Sequence, residues 1–200
     1  QSTSSTASTL SQTSLDALSL QCQPSQLPIV SEAEVTGLTL VGSSIADAPF
    51  ATSAAEIVSY DSCTDKLYVV NAQAKKVDLL SMNADSSPNS EGSIDLQSAA
   101  LASGINIGAA NSVSTHQGLV AVAIENADKQ QNGIIALYRS DPLELITTYT
   151  TGALPDMVSF SKDGRYIASA NEGEPNSDYT IDPEGSVTLV DLANGLMQAK

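Results

Sequence analysis

Short runs of apolar residues, separated by polar turns, dominate the pattern of this chain from about residue 54 onward. No apolar stripe at helical spacing competes with these runs, which favours strands. Asp163-Gly164 is a strong hairpin signal, because glycine tolerates the positive φ of a tight turn. The pattern predicts strands at residues 56–60, 66–71, 76–80, 111–115, 119–126, 133–138, 156–160, 165–171 and 185–192.

The predicted strands fall into three units that share one layout. Val-Ser pairs begin at residues 58, 113 and 158, and the second strand of each unit ends in asparagine, at residues 71, 126 and 171. Both series advance by 55 and then by 45 residues, an agreement that unrelated strands would not show. Fourth strands are predicted at 92–96 and 145–150, with one or two helical turns at 95–102.

Four short strands in each unit of about 40–50 residues are typical of β-propeller blades. We therefore predict an all-β fold of about three four-stranded antiparallel blades, the third without its outer strand. A β-sandwich is the alternative, although it would not require aligned repeats. Three blades do not close a ring, since propellers have roughly four to eight. The prediction is the N-terminal portion of a larger ring, completed by the remainder of the same propeller or by another chain, with residues 34–41 as a strand that joins its ends.

The N-terminal segment differs from the rest of the chain in composition. Eleven of the first twenty residues are Ser or Thr, and the first basic residue is Lys66. This segment has no basic n-region and no apolar h-region, so it is interpreted as a leader that follows a removed signal, with a trimmed cytosolic tail as the alternative. We predict a flexible leader over residues 1–33 and propeller blades over residues 34–200. Residues 192–200 follow the last predicted strand and do not resemble the terminal element of a fold. We therefore predict that the chain continues beyond them.

The net charge of the chain limits the kinds of molecule that it is expected to bind. Acidic residues outnumber basic residues by 23 to 8, which gives a formal net charge of −15. A nucleic-acid binder needs a basic footprint, and anionic membranes attract basic segments, so both partners are excluded. No apolar run approaches the ~20 residues of a membrane span.

Two cysteines and one histidine complete the chemically distinctive residues. An even, sparse cysteine count in an exported chain predicts a disulfide between Cys22 and Cys63, which would pin the leader beneath the turn at 61–65. Two unrelated buried thiols are the alternative, and the spacing fits no zinc site. His116 is expected in a turn, as a structural residue rather than a catalyst, and no nucleophile or nucleotide motif is present.

The propeller prediction places polar side chains together at one mouth of the central channel, because inner strands begin and second strands end on the same face. Oxygen-rich rims of this kind suit hard cations such as Ca²⁺ or Mg²⁺. The alternative is that the asparagines only satisfy the backbone of turns. The predicted rim comprises Glu56, Asn111 and Asp156 at the inner strands, Asn71, Asn126 and Asn171 at the second strands, and Glu125, Glu172 and Glu174 beside them.

The longest loop, residues 171–185, carries five acidic residues and no basic one. Because uncompensated carboxylates repel one another, a divalent cation or a positively charged partner would help to order it. The spacing is not that of an EF-hand, and a plain solvated loop is the alternative. The predicted cation ligands are Glu56, Asp156, Asn171, Glu172, Glu174, Asp178 and Asp182.

The sequence resembles the choice-of-anchor I family over about residues 36–192. The stretch Asn-Glu-Gly-Glu-Pro at 171–175 is the most specific part, and the other matching stretches are 55–61, 67–71, 152–160, 163–164 and 182–187. Members are exported bacterial β-propeller proteins, related to proteins labelled atypical alkaline phosphatase and to phytase-like esterases. The resemblance implies a protein that is secreted, or located at the cell surface or in the periplasm of a bacterium.

Two functions from different classes follow from these patterns. One is a non-catalytic scaffold for surface or matrix interactions, with an acidic rim that binds a divalent cation. The other is metal-dependent phosphoester hydrolysis, in which a cation would polarise phosphate and activate water. Fold alone does not decide between them.

Overall fold

The alternating runs form three antiparallel sheets in a computed structural model that describes residues 39–45 and 54–197. Each sheet is a meander in which consecutive strands pair, so the chain crosses each sheet from one edge to the other. The first sheet contains β1 (Val58–Asp61), β2 (Lys66–Asn71), β3 (Lys76–Met82) and β4 (Pro88–Asp95). The second contains β5 (Ile107–His116), β6 (Leu119–Asn126), β7 (Asn132–Ser140) and β8 (Leu143–Ala153), and the third β9 (Pro155–Phe160), β10 (Tyr166–Asn171) and β11 (Ser186–Asp191).

Several strand ends differ from the sequence prediction. Glu56 precedes β1, although its backbone N–H still donates to the Val70 carbonyl at 3.3 Å. Asn111 lies in the middle of β5 rather than at its head, because irregular pairing on both sides of Ala110 extends that strand back to Ile107. β4 begins at Pro88, four residues before the predicted start, and His116 ends β5 instead of lying in the following turn.

The sheets pack face to face through two apolar layers. The first layer lies between the first and second sheets and includes Val70, Val77, Val113, Val122 and Ile124. The second lies between the second and third sheets and includes Ala121, Ala123, Leu137, Val158 and Ile167. β6 contributes alternate residues to both layers, which explains why its sequence reads as a continuous apolar run.

The first strands of successive sheets are held side by side by serine hydroxyls. The Thr115 backbone N–H in β5 donates to Ser59 Oγ of β1 at 3.0 Å. In the same way, the Phe160 N–H in β9 donates to Ser114 Oγ of β5 at 3.2 Å. In a β-propeller, the sheets pack face to face and their inner edge strands lie side by side, as they do here. The three sheets are therefore called blades 1, 2 and 3. The fold prediction is confirmed: the described residues form a partial ring of three blades, the third with three strands.

One helix, α1 (Gln97–Ser103), connects blades 1 and 2. The Asp95 carboxylate accepts the Gln97 N–H at 3.0 Å at its start, and Gly104 ends it with a left-handed φ of +74°. Within the residues described by the structure, no helix is long and apolar enough to cross a membrane.

The predicted leader and most of the predicted closing strand lie outside the residues that the structure describes. Residues 1–38, 46–53 and 198–200 lie outside the described residues, and with them the leader at 1–33 and most of the strand predicted at 34–41. Residues 39–41 of that strand are described, and they have no strand structure; Leu40 is 85% exposed. Residues 39–41 pair with none of the described sheet edges, and the closing role of residues 34–41 stays a prediction.

Candidate functional site at the polar rim

The upper rim is defined here as the end of the blades where β2, β6 and β10 finish. Asn71 and Asn126 occupy equivalent places on this rim, and both organise the turn that follows. Asn71 Oδ1 accepts the Ala74 N–H at 3.1 Å, and its amide donates to Asp78 Oδ2 at 3.1 Å. Asn126 Oδ1 accepts the Asp128 N–H at 3.1 Å, and its amide donates to the Asn132 carbonyl at 3.2 Å. These bonds are those of turn-capping asparagines.

Asn171 takes the third equivalent place, but its bonds run across the sheet. Its side-chain amide donates to Ser186 Oγ at 3.1 Å and to Thr188 Oγ1 at 2.9 Å in β11. Its Oδ1 accepts the Ser169 hydroxyl at 3.2 Å, and the residue is 3% exposed. A Cβ at Gly152 would stand 2.9 Å from the Asn171 amide nitrogen, so glycine there leaves room for this network.

Glu125 and Asn111 meet in a buried polar cluster between blades 2 and 3. Glu125 Oε1 accepts the Ala109 N–H and Oε2 accepts the Asn111 amide, both at 3.2 Å. The Asn111 amide also donates to the Pro155 carbonyl of blade 3 at 3.1 Å. Glu125 is 7% exposed, and Lys129 Nζ approaches it at 3.8 Å. The structure therefore brings two predicted rim residues together, as a joint between blades.

The acidic loop between β10 and β11 is closed at its base by backbone contacts. The Glu172 N–H donates to the Leu154 carbonyl at 2.9 Å, and the Gly173 N–H to the Ala153 carbonyl at 3.2 Å. Gly173 has a φ of +67°, and a Cβ there would stand 2.6 Å from the Pro183 carbonyl oxygen. Only glycine meets both conditions without strain, which explains the glycine inside the Asn-Glu-Gly-Glu-Pro stretch.

Asn176 holds the tip of the same loop. Its Oδ1 accepts the N–H groups of Thr180 and Ile181 at 2.9 and 3.0 Å, and its amide donates to Thr180 Oγ1 at 3.0 Å. The Thr180 hydroxyl donates in turn to Asp178 Oδ1 at 2.8 Å. Because the Thr180 hydroxyl and N–H both donate to this carboxylate, the pKa of Asp178 lies below its ordinary value. The loop thus has a defined shape that its own polar groups stabilise.

The predicted cation ligands are exposed, apart from Asn171. Glu56 lies before β1 and Asp156 within β9, while Glu172, Glu174, Asp178 and Asp182 follow the loop. Across residues 39–45 and 54–197, no three His, Cys, Asp or Glu side chains lie close enough together to hold a metal ion. The ligand assignment stays a prediction.

Charge compensation differs between the blades along the upper rim. Lys76 pairs with Asp78 at 2.7 Å in blade 1, and Lys129 lies near Glu125 in blade 2. Among the described residues, no salt bridge involves a carboxylate of residues 172–184 in blade 3. The loop of blade 3 therefore presents its negative charge to solvent without a basic partner.

The opposite end of the blades carries the histidine and one of the cysteines. The His116 ring packs against the turn of blade 3, since a Cβ at Gly164 would stand 2.3 Å from Nε2, and burial lowers the pKa of His116. The Cys63 N–H donates to Asp61 Oδ1 at 3.2 Å. Cys22 lies outside the described residues, so its disulfide with Cys63 stays a prediction.

Sequence reasoning missed several residues that shape this site. Asn176 had no repeat partner to mark it, and the close approach at Gly173 joins backbone segments eleven residues apart. The serines of the Val-Ser pairs were recognised as repeat markers only. Their recurrence at the steps of 55 and 45 residues was the available signal for a common structural role.

Comparison with known proteins identifies the family of this chain. A family model described as "Choice-of-anchor I domain" matches residues 56–199. No curated protein matches the chain. Among solved structures, a luciferin-regenerating enzyme aligns with a TM-score of 0.53 and 14% identity, covering 74% of this chain and 47% of that one. Hydrazine synthase of Kuenenia stuttgartiensis aligns with a TM-score of 0.48 and 18% identity, covering 73% of this chain and 36% of that one.

The alignment with the luciferin-regenerating enzyme bears on the fold alone. A "Dos1 propeller" is also similar, with a TM-score of 0.28 and 13% identity over 58% of this chain and 42% of that one. The chain spans less than half the length of each of the three solved chains.

Proposed function

Because the chain belongs to the choice-of-anchor I domain family, we propose that it is part of an exported or cell-surface propeller that acts as a non-catalytic interaction scaffold. The contact surface is the acidic loop of blade 3, residues 172–184. Its partner supplies positive charge, either as a bound divalent cation or as a basic protein surface.

The observation that supports this proposal is that the backbone of the loop is held in place while its carboxylates are exposed to solvent. Asn176 and Gly173 hold the loop in one shape, while the carboxylates of Glu172 and Glu174 remain exposed. A loop that is already ordered loses little conformational entropy when it binds, and that raises affinity for a given set of contacts. Unpaired negative charge also steers a positively charged partner to this surface.

Calcium is the proposed cofactor, on the chemistry of the available donors. Carboxylate and amide oxygens are the ligands that Ca²⁺ prefers. The described carboxylates are not gathered into a group of three, so the residues present do not form a ready cation cage. A bound ion would have to draw loop carboxylates together. We expect an affinity in the millimolar range, as in many extracellular modules.

Titration of the metal-stripped protein with Ca²⁺ tests this proposal. A ligand that binds only the folded state raises the free energy of unfolding. At about 10 mM Ca²⁺ and a dissociation constant of ~1 mM, the increase is about 1.4 kcal/mol, which corresponds to a rise of roughly 3–5 °C in Tm. The double variant Glu172→Gln with Glu174→Gln should lose most of this rise and most of the binding heat. The matched control removes two charges elsewhere, through Glu91→Gln with Glu144→Gln, and should keep both signals.

A second experiment uses a lysine-rich peptide as the probe, to test for a basic protein partner instead of an ion. The loop double variant should bind it several-fold more weakly than the control double variant, although both carry the same net charge. Equal binding by the two variants, together with no heat and no Tm change on adding Ca²⁺, would show that the loop is plain solvated surface. Metal-assisted phosphoester hydrolysis stays an expectation from the family resemblance, since no observation on the described residues favours it.

A further inference from the structure

The tip of the acidic loop presents two apolar side chains to solvent. Tyr179 is 79% exposed and Ile181 is 50% exposed. Among the described residues, the Tyr179 hydroxyl takes part in no hydrogen bond, and neither side chain belongs to the two apolar layers between the blades. The loop therefore carries, in addition to its charge, apolar surface that does not contribute to the described core.

Tyr179 also has a backbone conformation that a bulky residue rarely adopts. Its φ is +57°, in the left-handed region, which is unfavourable for a residue with a Cβ. The hydrogen bonds of the loop tip hold this conformation: the Tyr179 N–H donates to the Asn176 carbonyl at 3.0 Å, and the Asn176 N–H donates to the Ile181 carbonyl at 2.9 Å. Glycine or asparagine would fit the same position at lower cost. An exposed aromatic ring at a strained position is typical of a residue that serves binding rather than stability.

Carboxylates flank the two apolar side chains. Asp178 precedes Tyr179 and Asp182 follows Ile181 in the sequence, and both aspartates are exposed. Neither carboxylate forms a salt bridge within the part of the chain that the structure describes. Unpaired negative charge favours a basic partner, because complementary charge steers association. The apolar pair favours a partner that also supplies apolar surface, because burial of that surface removes it from water.

We infer that the loop tip binds a basic protein segment, which packs an apolar side chain against Tyr179 and Ile181. The lysine or arginine side chains of this segment lie near Asp178 and Asp182. The inference rests on the proposed function and specifies its partner as a protein segment, since a bare cation would gain nothing from the apolar pair. Tyrosine is enriched among the residues that dominate binding energy at interfaces, because its ring covers a large area with few rotatable bonds. Asn176 already holds the loop in shape, so binding requires little further ordering.

Two short peptides with the same number of lysines test this inference. One peptide has leucine at its centre, and the other has serine in its place. NMR titration of the 200-residue chain, followed at the amides of Thr180 and Ile181, measures the affinity for each peptide. The chain should bind the leucine peptide about fivefold more tightly, because packing against Tyr179 and Ile181 removes the leucine side chain from water.

Tyr179→Asn should reduce this preference for leucine to less than about twofold and leave the affinity for the serine peptide unchanged. Asparagine tolerates the left-handed conformation, so the loop keeps its shape, and unchanged amide exchange at Thr180 and Ile181 verifies this. The matched control is Leu101→Gln, which removes a side chain that is 84% exposed on α1. This control should leave both affinities unchanged.

The melting temperature gives a second readout of Tyr179. Tyr179→Asn should raise Tm by about 2 °C, because asparagine adopts a left-handed φ at lower cost than tyrosine. The same variant is therefore expected to be more stable and to bind the leucine peptide more weakly. A lower Tm would show that the ring stabilises the loop itself, and would overturn the inference.

The double variant Glu172→Gln with Glu174→Gln separates this inference from the proposed function. It should weaken the binding of both peptides several-fold and keep the preference for leucine, because it removes charge and leaves the apolar pair in place. If it weakens neither peptide, the proposed function is wrong and the inference fails with it. If it weakens both, but the unmodified chain binds the two peptides equally or Tyr179→Asn keeps the preference, the inference alone is overturned.

Discussion

Gly173→Ala is expected to lower the free energy of unfolding by about 3 kcal/mol, and to free the tip of the acidic loop. The residue has a left-handed φ of +67°, which costs an alanine roughly 1–2 kcal/mol. The added Cβ would also stand 2.6 Å from the Glu184 carbonyl carbon and the Pro183 oxygen, backbone atoms that cannot rotate away. Chemical denaturation measures the loss, and hydrogen exchange at Thr180 and Ile181 reports the loop.

Gly104→Ala is the matched control for this prediction. Gly104 has a similar φ of +74°, but a Cβ there would meet no atom within 4 Å. Its substitution should therefore cost only the backbone strain, about 1 kcal/mol, and should leave exchange in the acidic loop unchanged. Equal losses at the two glycines would show that the close approach at the base of the loop does not exist.

Ile124→Ala should destabilise the protein by about 2–5 kcal/mol, measured by chemical denaturation. Ile124 lies on β6 and is completely buried in the layer between blades 1 and 2, so truncation loses buried apolar area and leaves a cavity. Val187→Ala is the control on an outward-facing strand position: Val187 is 74% exposed, and its truncation should change stability by less than about 0.5 kcal/mol. A small effect at Ile124 would contradict face-to-face packing of blades 1 and 2.

The strands could be predicted from the sequence because their signals are local. Apolar runs bounded by polar turns placed β2 and β6 at their observed bounds, 66–71 and 119–126. The irregular pairing around Ala110 could not be predicted, since it depends on how β5 aligns with β6 rather than on residues nearby in sequence. That irregularity is the reason that Asn111 was expected at the head of a strand and lies within one.

The site was predictable in composition but only partly in geometry. The acidic character of residues 171–185 is visible in the sequence, and so is the recurrence of asparagine at the ends of second strands. Whether an asparagine caps a turn or bonds across the sheet depends on the backbone that surrounds it, as Asn71 and Asn171 show with two different sets of partners. The joint of Glu125 with Asn111 depends on the approach of blade 3, which no local pattern encodes.

Residue-resolved hydrogen exchange of the inner strands tests most directly the central claim, that three consecutive blades are joined along their inner edges. The account predicts protected amides at Thr115, Val158 and Phe160, whose N–H groups donate to serines of the preceding blade at 3.0–3.2 Å. In Ser114→Ala, exchange should accelerate at Phe160 and remain slow at Thr115. Exchange at the rate of an open chain at all three amides in the unmodified protein would contradict the account.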